Sequence, residues 1–171
     1  MKLLEISRGA GLIGLPIQTS AGIFLAGYSE QGLAKLHFPS SRNRAPTDGT
    51  LSPEIRRWHG LAEQAVKQVL AGEKICDWPP LDLSAGTAFQ QRVWSAMREI
   101  GPGQTRTYAE LARNIGSPGA ARAVGAACGA NPIPLLVPCH RVIAARGKLG
   151  GFSGGLDWKR KLLAAEHFTF F

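Results

Sequence analysis

The sequence predicts an α+β chain (α/β across two domains), with strands confined to its first part and a mainly helical second part. Three observations carry that expectation. Apolar residues alternate at strand spacing between residues 22 and 38, they recur at helical spacing in four later segments, and a Pro/Gly/Ser-rich stretch over residues 78–86 lies between the halves. The expected domains are 1–82 and 86–171.

Residues 22–28 (GIFLAGY) and 33–38 (LAKLHF) flank the turn-prone Ser29-Glu30-Gln31-Gly32 and read as a hairpin. Residues 39–53, rich in Ser, Pro, Arg and Gly, read as a mobile loop. Over residues 53–70, Ile55, Trp58, Leu61, Ala62, Ala65, Val66 and Val69 recur at helical spacing, with Ser52 as N-cap and Gly72 as stop. Trp78-Pro79-Pro80-Leu81 and Ser84-Ala85-Gly86 read as the linker. Thr87 caps a helix to about Ile100 with Phe89, Val93, Trp94 and Met97 on one face, and Gly101-Pro102-Gly103 stops it. Thr107-Tyr108-Ala109-Glu110 matches the capping box and opens a helix over 108–115. After the turn Gly116-Ser117-Pro118, another helix runs over about 119–129. Two short helices joined by a three-residue turn containing Gly form the helix-turn-helix pattern, which many helical hairpins share.

Composition narrows the function classes. An apolar fraction of 44% with 19% charged residues excludes disorder, collagen and coiled coil. No apolar run reaches the roughly 18–20 residues of a membrane span. Glu5, Ser7 and Arg8 interrupt the apolar start, so no secretory leader is expected. Three cysteines, an odd number, suit a reducing compartment better than a disulfide framework. The net charge of +8 is unevenly placed. Residues 1–85 hold nine Lys/Arg against eight Asp/Glu, whereas residues 86–171 hold eleven against four. A half carrying +7 points to a polyanion, or to a solubilising surface.

The helix over 119–129 (GAARAVGAACG) carries a single long side chain, Arg122. Helices that read the major groove offer Arg, Asn, Gln or Glu to base edges, and this one does not. Its small residues suit close backbone approach, either to a packed interior or to a minor groove.

Asn131-Pro132-Ile133-Pro134-Leu135-Leu136-Val137-Pro138-Cys139-His140-Arg141-Val142 follows. Residues 133–137 read as a buried strand ended by Pro138. A turn after the proline brings the Cys139 thiol and the His140 imidazole into one pocket, directly or through a water. A free thiol with a pKa of about 8.5 is only a few per cent thiolate at neutral pH. Neutral His140 takes its proton if a carboxylate holds the other ring nitrogen, and downstream only Glu166 and Asp157 are acids.

Pro138-Cys139-His140-Arg141-Val142, with Asn131-Pro132 before it and Gly150-Gly151-Phe152-Ser153-Gly154-Gly155 and residues 159–166 after it, closely resembles the O6-alkylguanine-DNA alkyltransferases. The likeness extends through Phe89-Gln90-Gln91-Arg92-Val93-Trp94, Thr107-Tyr108 and Gly119-Ala120-Ala121-Arg122-Ala123-Val124-Gly125, and so covers the C-terminal half. It implies a small ribonuclease-H-like N-terminal domain and a helix-turn-helix in the C-terminal one. It implies one irreversible transfer of a methyl or other alkyl group from O6-alkylguanine, with O4-alkylthymine as a further candidate substrate, to Cys139 after the base is flipped out of the duplex. In that scheme His140 is the base acting through a water, and Glu166 orients it. Asn131 fixes the reactive loop, Tyr108 presses on the 3′ phosphate, and Arg122 fills the vacated stack. Ala120, Ala121, Ala123 and Gly125 lie in the minor groove, while Thr107, Arg141 and Ser153 are further expected DNA contacts. In a half carrying +7, Lys159-Arg160-Lys161 reads either as a solvated helix face or as a phosphate site with Lys159 as the DNA contact. The implied partner is double-stranded DNA carrying the lesion, bound by a monomer with or without cooperativity along the duplex. No cofactor, metal or membrane is implied, and the implied location is the cytoplasm, on the nucleoid when DNA is bound.

Two departures accompany the likeness. Phe152 stands where the family usually has a tyrosine that helps at the base ring, so Tyr108 or backbone N–H groups after Val142 inherit the donor role. Cys76, His37 and His59 are too few and wrongly spaced for the N-terminal zinc of some relatives. Of the rest, Cys76 and Cys128 read as packed or partly exposed thiols, Trp58, Trp94 and Trp158 as core, and His37, His59 and His167 as surface. A lesion sensor of the alkyltransferase-like kind would lack Cys139. A Cys-His hydrolase does not explain the charge or the Ala/Gly helix, and a helix-turn-helix regulator would want base-reading side chains.

Overall fold

The computed structural model describes residues 11–40 and 51–168. Among these the chain divides into two compact units. One holds the residues up to Lys67 together with Ile75–Leu83, and the other holds Gln68–Lys74 and the residues from Ser84 onwards. The architecture is mixed α/β, a small antiparallel sheet with helices. No helix among the described residues is long and apolar enough to cross a membrane.

The first unit contains the sheet β1 (Ile13–Thr19), β2 (Gly22–Ser29) and β3 (Gly32–His37), in that order and antiparallel throughout. The pairing Thr19↔Gly22 closes one hairpin and Ser29↔Gly32 the next. Phe24, Ala26 and Tyr28 are buried at alternate positions of β2, the two-residue period of a sheet with one covered face. The sequence reading anticipated β2 and β3 but not β1, in which Pro16 and the polar end Gln18-Thr19 obscure the alternation. Helix α1 (Pro53–Leu70) has the expected bounds, and the Ser52 hydroxyl accepts from the Ile55 N–H at 3.2 Å. Gly72 ends it in the left-handed region, at φ +74°, with backbone so near Ala165 that a Cβ would overlap its carbonyl. The expected loop over 39–53 falls mostly on residues outside those described.

The stretch from Trp78 to Leu81 is not a free linker. Leu33 N–H donates to Pro80 O at 2.8 Å, Asp82 N–H donates to Leu33 O at 2.8 Å, and the Ser29 hydroxyl donates to Asp82 Oδ2 at 2.6 Å. Leu81 thereby adds a parallel bridge to the edge of β3, a short edge pairing of the kind in which prolines are found. Two further expectations are corrected here. Trp58 is half-buried rather than core, and His59 has a partner, the Tyr28 hydroxyl at 3.0 Å from its Nδ1.

The second unit is built from α2 (Ala88–Arg98), α3 (Tyr108–Asn114), α4 (Ala121–Gly129) and α5 (Leu156–Ala165). A two-residue parallel pair, β4 (Arg106–Thr107) with β5 (Val142–Ile143), ties the start of α3 to the chain just after Arg141. Thr87 and Thr107 both form complete capping boxes, with Gln90 and Glu110 respectively. Val93, Trp94, Met97, Leu111, Val124 and Ala127 meet in the core, and the Trp94 indole N–H donates to Ala127 O at 2.9 Å. Trp158, by contrast, is only half-buried, and Lys161 lies over its ring.

Residues 133–137 are buried but are not a strand. They form turns, with Leu135 at φ +74° and Val137 N–H donating to Ile133 O at 2.9 Å. Prolines at 132, 134 and 138 remove three amide donors within seven residues, so no ladder can run through the segment.

Candidate active site

Cys139 and His140 lie in one 3-10 turn, Cys139–Arg141, entered through Pro138 and followed directly by β5. Asn131 shapes the approach to that turn from inside. Its amide donates to Val137 O at 2.7 Å, its side-chain oxygen accepts from Ile133 N–H at 3.0 Å, and it is 7% exposed. One side chain thus supplies partners to backbone groups that the proline-rich turns leave without a ladder.

Cys139 lines a pocket of about 180 Å³ with Tyr108, Gly125, Cys128, Gly129, Gly151, Phe152 and Ser153. The volume is below the roughly 300 Å³ at which drug-sized sites begin, and suits one ring system rather than an extended ligand. Gly150, at φ +70°, lets the loop pass against the Tyr108 ring, where a Cβ would stand 2.7 Å from the hydroxyl. Burial pushes the Tyr108 phenol up, while a bond from the Gly151 backbone acts the other way.

Behind the pocket stands a buried polar cluster. His140 is fully buried, and its Nε2 is 2.9 Å from Glu166 Oε1. Burial alone would raise the Glu166 carboxyl, but the bonds from His140 and Arg141 hold it at about 2. Glu166 is therefore a carboxylate that only accepts, which makes Nε2 the protonated ring nitrogen and leaves the Nδ1 lone pair available. His140 Nδ1 is the one buried side-chain nitrogen or oxygen without a protein partner among the described residues. Burial, aided by the Arg141 and Lys159 charges, pushes the imidazole below its usual value and keeps it neutral, against the pull of Glu166. Burial likewise pushes the Cys139 thiol up, and a hydrogen bond from Asn131 and the Lys159 charge draw it back.

Arg141 and Lys159 are turned inward, contrary to the expectation that they contact DNA. The Arg141 guanidinium donates to Glu166 through Nε at 3.0 and 3.1 Å and Nη2 at 2.8 Å, and through Nη1 to Ile100 O, leaving it 7% exposed. The Lys159 ammonium donates to the carbonyls of Val142, Leu149 and Gly151 and is fully buried. A charge so enclosed cannot reach a phosphate. The Thr107 hydroxyl is engaged with Glu110, accepting from its N–H at 3.2 Å and donating to Oε2 at 2.8 Å. Arg122, Ala123 and Ser153 are exposed, and Ala120, Ala121 and Gly125 are half-exposed. Ala120 precedes α4 as its N-cap residue.

Comparison with known proteins follows this geometry closely. The profile of the 6-O-methylguanine DNA methyltransferase DNA-binding domain matches residues 88–168. A methylated-DNA–protein-cysteine methyltransferase of Mycolicibacterium paratuberculosis is 62% identical over 135 residues, covering 75% of this chain and 81% of its own. The chain belongs to the methylated-DNA–protein-cysteine methyltransferase family. Another member, from Methanosarcina acetivorans, is 43% identical over 146 residues, 84% of this chain and 90% of its own. The crystal structure of Mycobacterium tuberculosis OGT in complex with DNA superposes with a TM-score of 0.73 at 42% identity, covering 90% of this chain and 91% of that one.

One contributor to this pocket escaped the sequence reading. Cys128 is a pocket wall, with its thiol against Met97 Sδ at 3.5 Å and burial pushing it up to about 12. It carries no local signal, since a Cys in an Ala-rich helix reads as packing. Phe152, singled out in the sequence as the departure at the base ring, lines the pocket and meets His140 edge-on, with ring centroids 6.5 Å apart. Among the described residues no group of three or more His, Cys, Asp or Glu side chains is placed to hold a metal.

Proposed function

We propose that this protein repairs O6-alkylguanine in duplex DNA by moving the alkyl group onto its own Cys139, once per chain. The observation that carries the reading is the combination at the 3-10 turn: a thiol lining a ring-sized pocket, followed at once by a buried neutral imidazole whose only hydrogen-bond partner among the described residues is a carboxylate.

The chemistry follows from those groups. His140 Nδ1 takes the thiol proton, directly or through a water, and Glu166 stabilises the imidazolium that results. The sulfur attacks the alkyl carbon from behind as the carbon–O6 bond breaks, and guanine leaves with the electron pair. The Ser153 hydroxyl, the Tyr108 hydroxyl and backbone N–H groups of the loop are the donors at hand for that developing charge. A thioether remains, and no group in the pocket removes it, so the acceptor is consumed. Cys139 is buried in the lining of its pocket, out of reach of a base still held in the duplex stack, which supports flipping.

In this reading residues 1–82 form the ribonuclease-H-like domain and residues 86–171 the DNA-binding, alkyl-acceptor domain. Helices α3 and α4 serve as the helix-turn-helix, with the exposed small face of α4 against the minor groove and Arg122 filling the emptied stack. The protein acts as a monomer in the cytoplasm, on DNA. Incubation with DNA containing O6-methylguanine tests the reading: mass spectrometry should find one methyl group per chain, on Cys139. Repeated turnovers per chain, or loss of the methyl from DNA with Cys139 unmodified, would overturn it.

A further inference from the structure

Lys159 is fully buried and forms no ion pair with an acid among the described residues, while its neighbours in α5, Arg160 and Lys161, are exposed. Its three ammonium protons are matched by three carbonyls: Val142 O at 2.6 Å, Leu149 O, and Gly151 O at 3.2 Å. No donor remains for a phosphate or a base. Carbonyl dipoles satisfy the hydrogen bonds but do not neutralise the charge, and a buried unpaired cation is disfavoured. Burial accordingly brings the ammonium down to about 8.

The Gly151 whose carbonyl Lys159 holds lines the same pocket as Cys139, and Val142, its other close partner, follows Cys139 by three residues, so the ammonium is anchored to the wall that the thiol shares. Its charge favours the Cys139 and Cys128 thiolates and disfavours the His140 cation. His140 is neutral or cationic and offers no compensation. Cys128, held near 12, stays protonated through the neutral range. Among the described residues that share this charge, Cys139 is the one left to supply the missing negative charge. Its other surroundings are the Asn131 hydrogen bond, which favours the thiolate, and Cys128 and Tyr108, on which its own charge acts unfavourably.

We infer that Lys159 is a positioning residue for the alkyl-acceptor thiolate: its buried ammonium is the counter-charge of Cys139, and its three bonds hold the Leu149–Gly151 wall of the pocket to the start of β5. The inference rests on the reading of Cys139 as acceptor and adds a second device to the His140–Glu166 pair. His140 moves the proton, while Lys159 makes the ionised sulfur tolerable inside the protein.

The test reads Cys139 ionisation without DNA. Alkylation of Cys139 by iodoacetamide is followed against pH by peptide-resolved mass spectrometry in the wild type, K159M and K159R. In K159M the midpoint should move up by about one pH unit, as expected when an opposite charge is removed from a thiolate. K159R, which keeps the charge but not the three-carbonyl grip, should hold the midpoint and lose roughly tenfold or more in transfer from O6-methylguanine DNA. An unchanged midpoint in folded K159M overturns the inference. Should K159M fail to fold, the reciprocal measurement stands in its place, because coupling between two sites is mutual. By nitrogen-detected NMR of the Lys159 ammonium, its titration should fall in C139S relative to the wild type, and an unchanged titration would be equally fatal. Neither readout depends on alkyl transfer, so a failed methylation assay and a failed counter-charge remain distinguishable.

Discussion

His140 Nε2 lies 2.9 Å from Glu166 Oε1, with neither side chain exposed, although 26 residues separate the two. The Glu166 carboxylate also takes three short contacts from Arg141 and one from the Gly103 N–H at 3.2 Å. It therefore joins the end of α5, the loop after α2 and the reactive turn. A carboxylate with this many donors is held as the anion, and the anion in turn fixes which nitrogen of His140 carries the proton. The same bonds that position the imidazole also secure the fold around it.

That coupling makes the fold acid-sensitive in a defined direction. Glu166 is lowered to about 2 in the folded chain, so its contribution is complete above the unfolded carboxylate value and is lost as pH falls toward 2. His140 is lowered too, so below the ordinary histidine value of about 6.5 the unfolded chain takes up a proton that the folded chain resists. Both effects have one sign. Stability measured by urea unfolding should decline from about pH 6.5 downward, and E166Q should remove the part below about pH 4.5. At neutral pH E166Q should cost about 3–5 kcal/mol, because it leaves Arg141 buried without its partner.

Replacing Cys139 should separate binding from chemistry. C139S and C139A should show no methyl transfer, with DNA affinity by fluorescence anisotropy within roughly threefold of the wild type. A C139S variant that transfers methyl at the original rate would remove the thiolate mechanism.

Gly150 lies directly against the Tyr108 ring. G150A puts a Cβ at φ +70° and 2.7 Å from the Tyr108 hydroxyl, and the backbone strain alone costs about 1–2 kcal/mol. Repair of duplex DNA should slow by roughly tenfold or more, a change of about 1.4 kcal/mol in the barrier. Alkylation of Cys139 by iodoacetamide should be nearly unchanged. Equal slowing of both would place the effect on the thiol rather than on Tyr108.

Arg122 is the only long side chain of α4 and is exposed. R122A should slow repair in duplex DNA far more than reaction with free O6-methylguanine base, and equal slowing would exclude a role in flipping.

DNA affinity of the wild type should fall steeply with salt and vary little with sequence, because phosphate contacts dominate. Titrations at several salt concentrations on two unrelated duplexes check both statements, and strong sequence selection would contradict them.

Much of the second unit was legible in advance because its signals are local. Thr87 and Thr107 announced their helices through capping boxes that the structure contains in full, and Ser52 and Gly72 bracket α1 as read. A cap involves residues three apart, so sequence alone holds all of its parts. The apolar run after Asn131 misled for the complementary reason. Hydrophobicity announces burial, which is correct for Ile133, Leu136 and Val137, but the prolines among them decide against a ladder.

The sequence by itself determined the helices with their caps, the juxtaposition of Cys139 with His140, the charge placed in the second half, and the family. Only the tertiary structure decided which charges serve the site. Arg141 and Lys159 look like solvated cations in a basic segment, yet one holds Glu166 and the other closes on three carbonyls. The reason is distance along the chain: an inward-turned cation is permitted only by partners that neighbouring residues do not reveal. Glu166 lies 25 residues beyond Arg141, and Val142 lies 17 before Lys159, so those pairings exist only once the chain has folded.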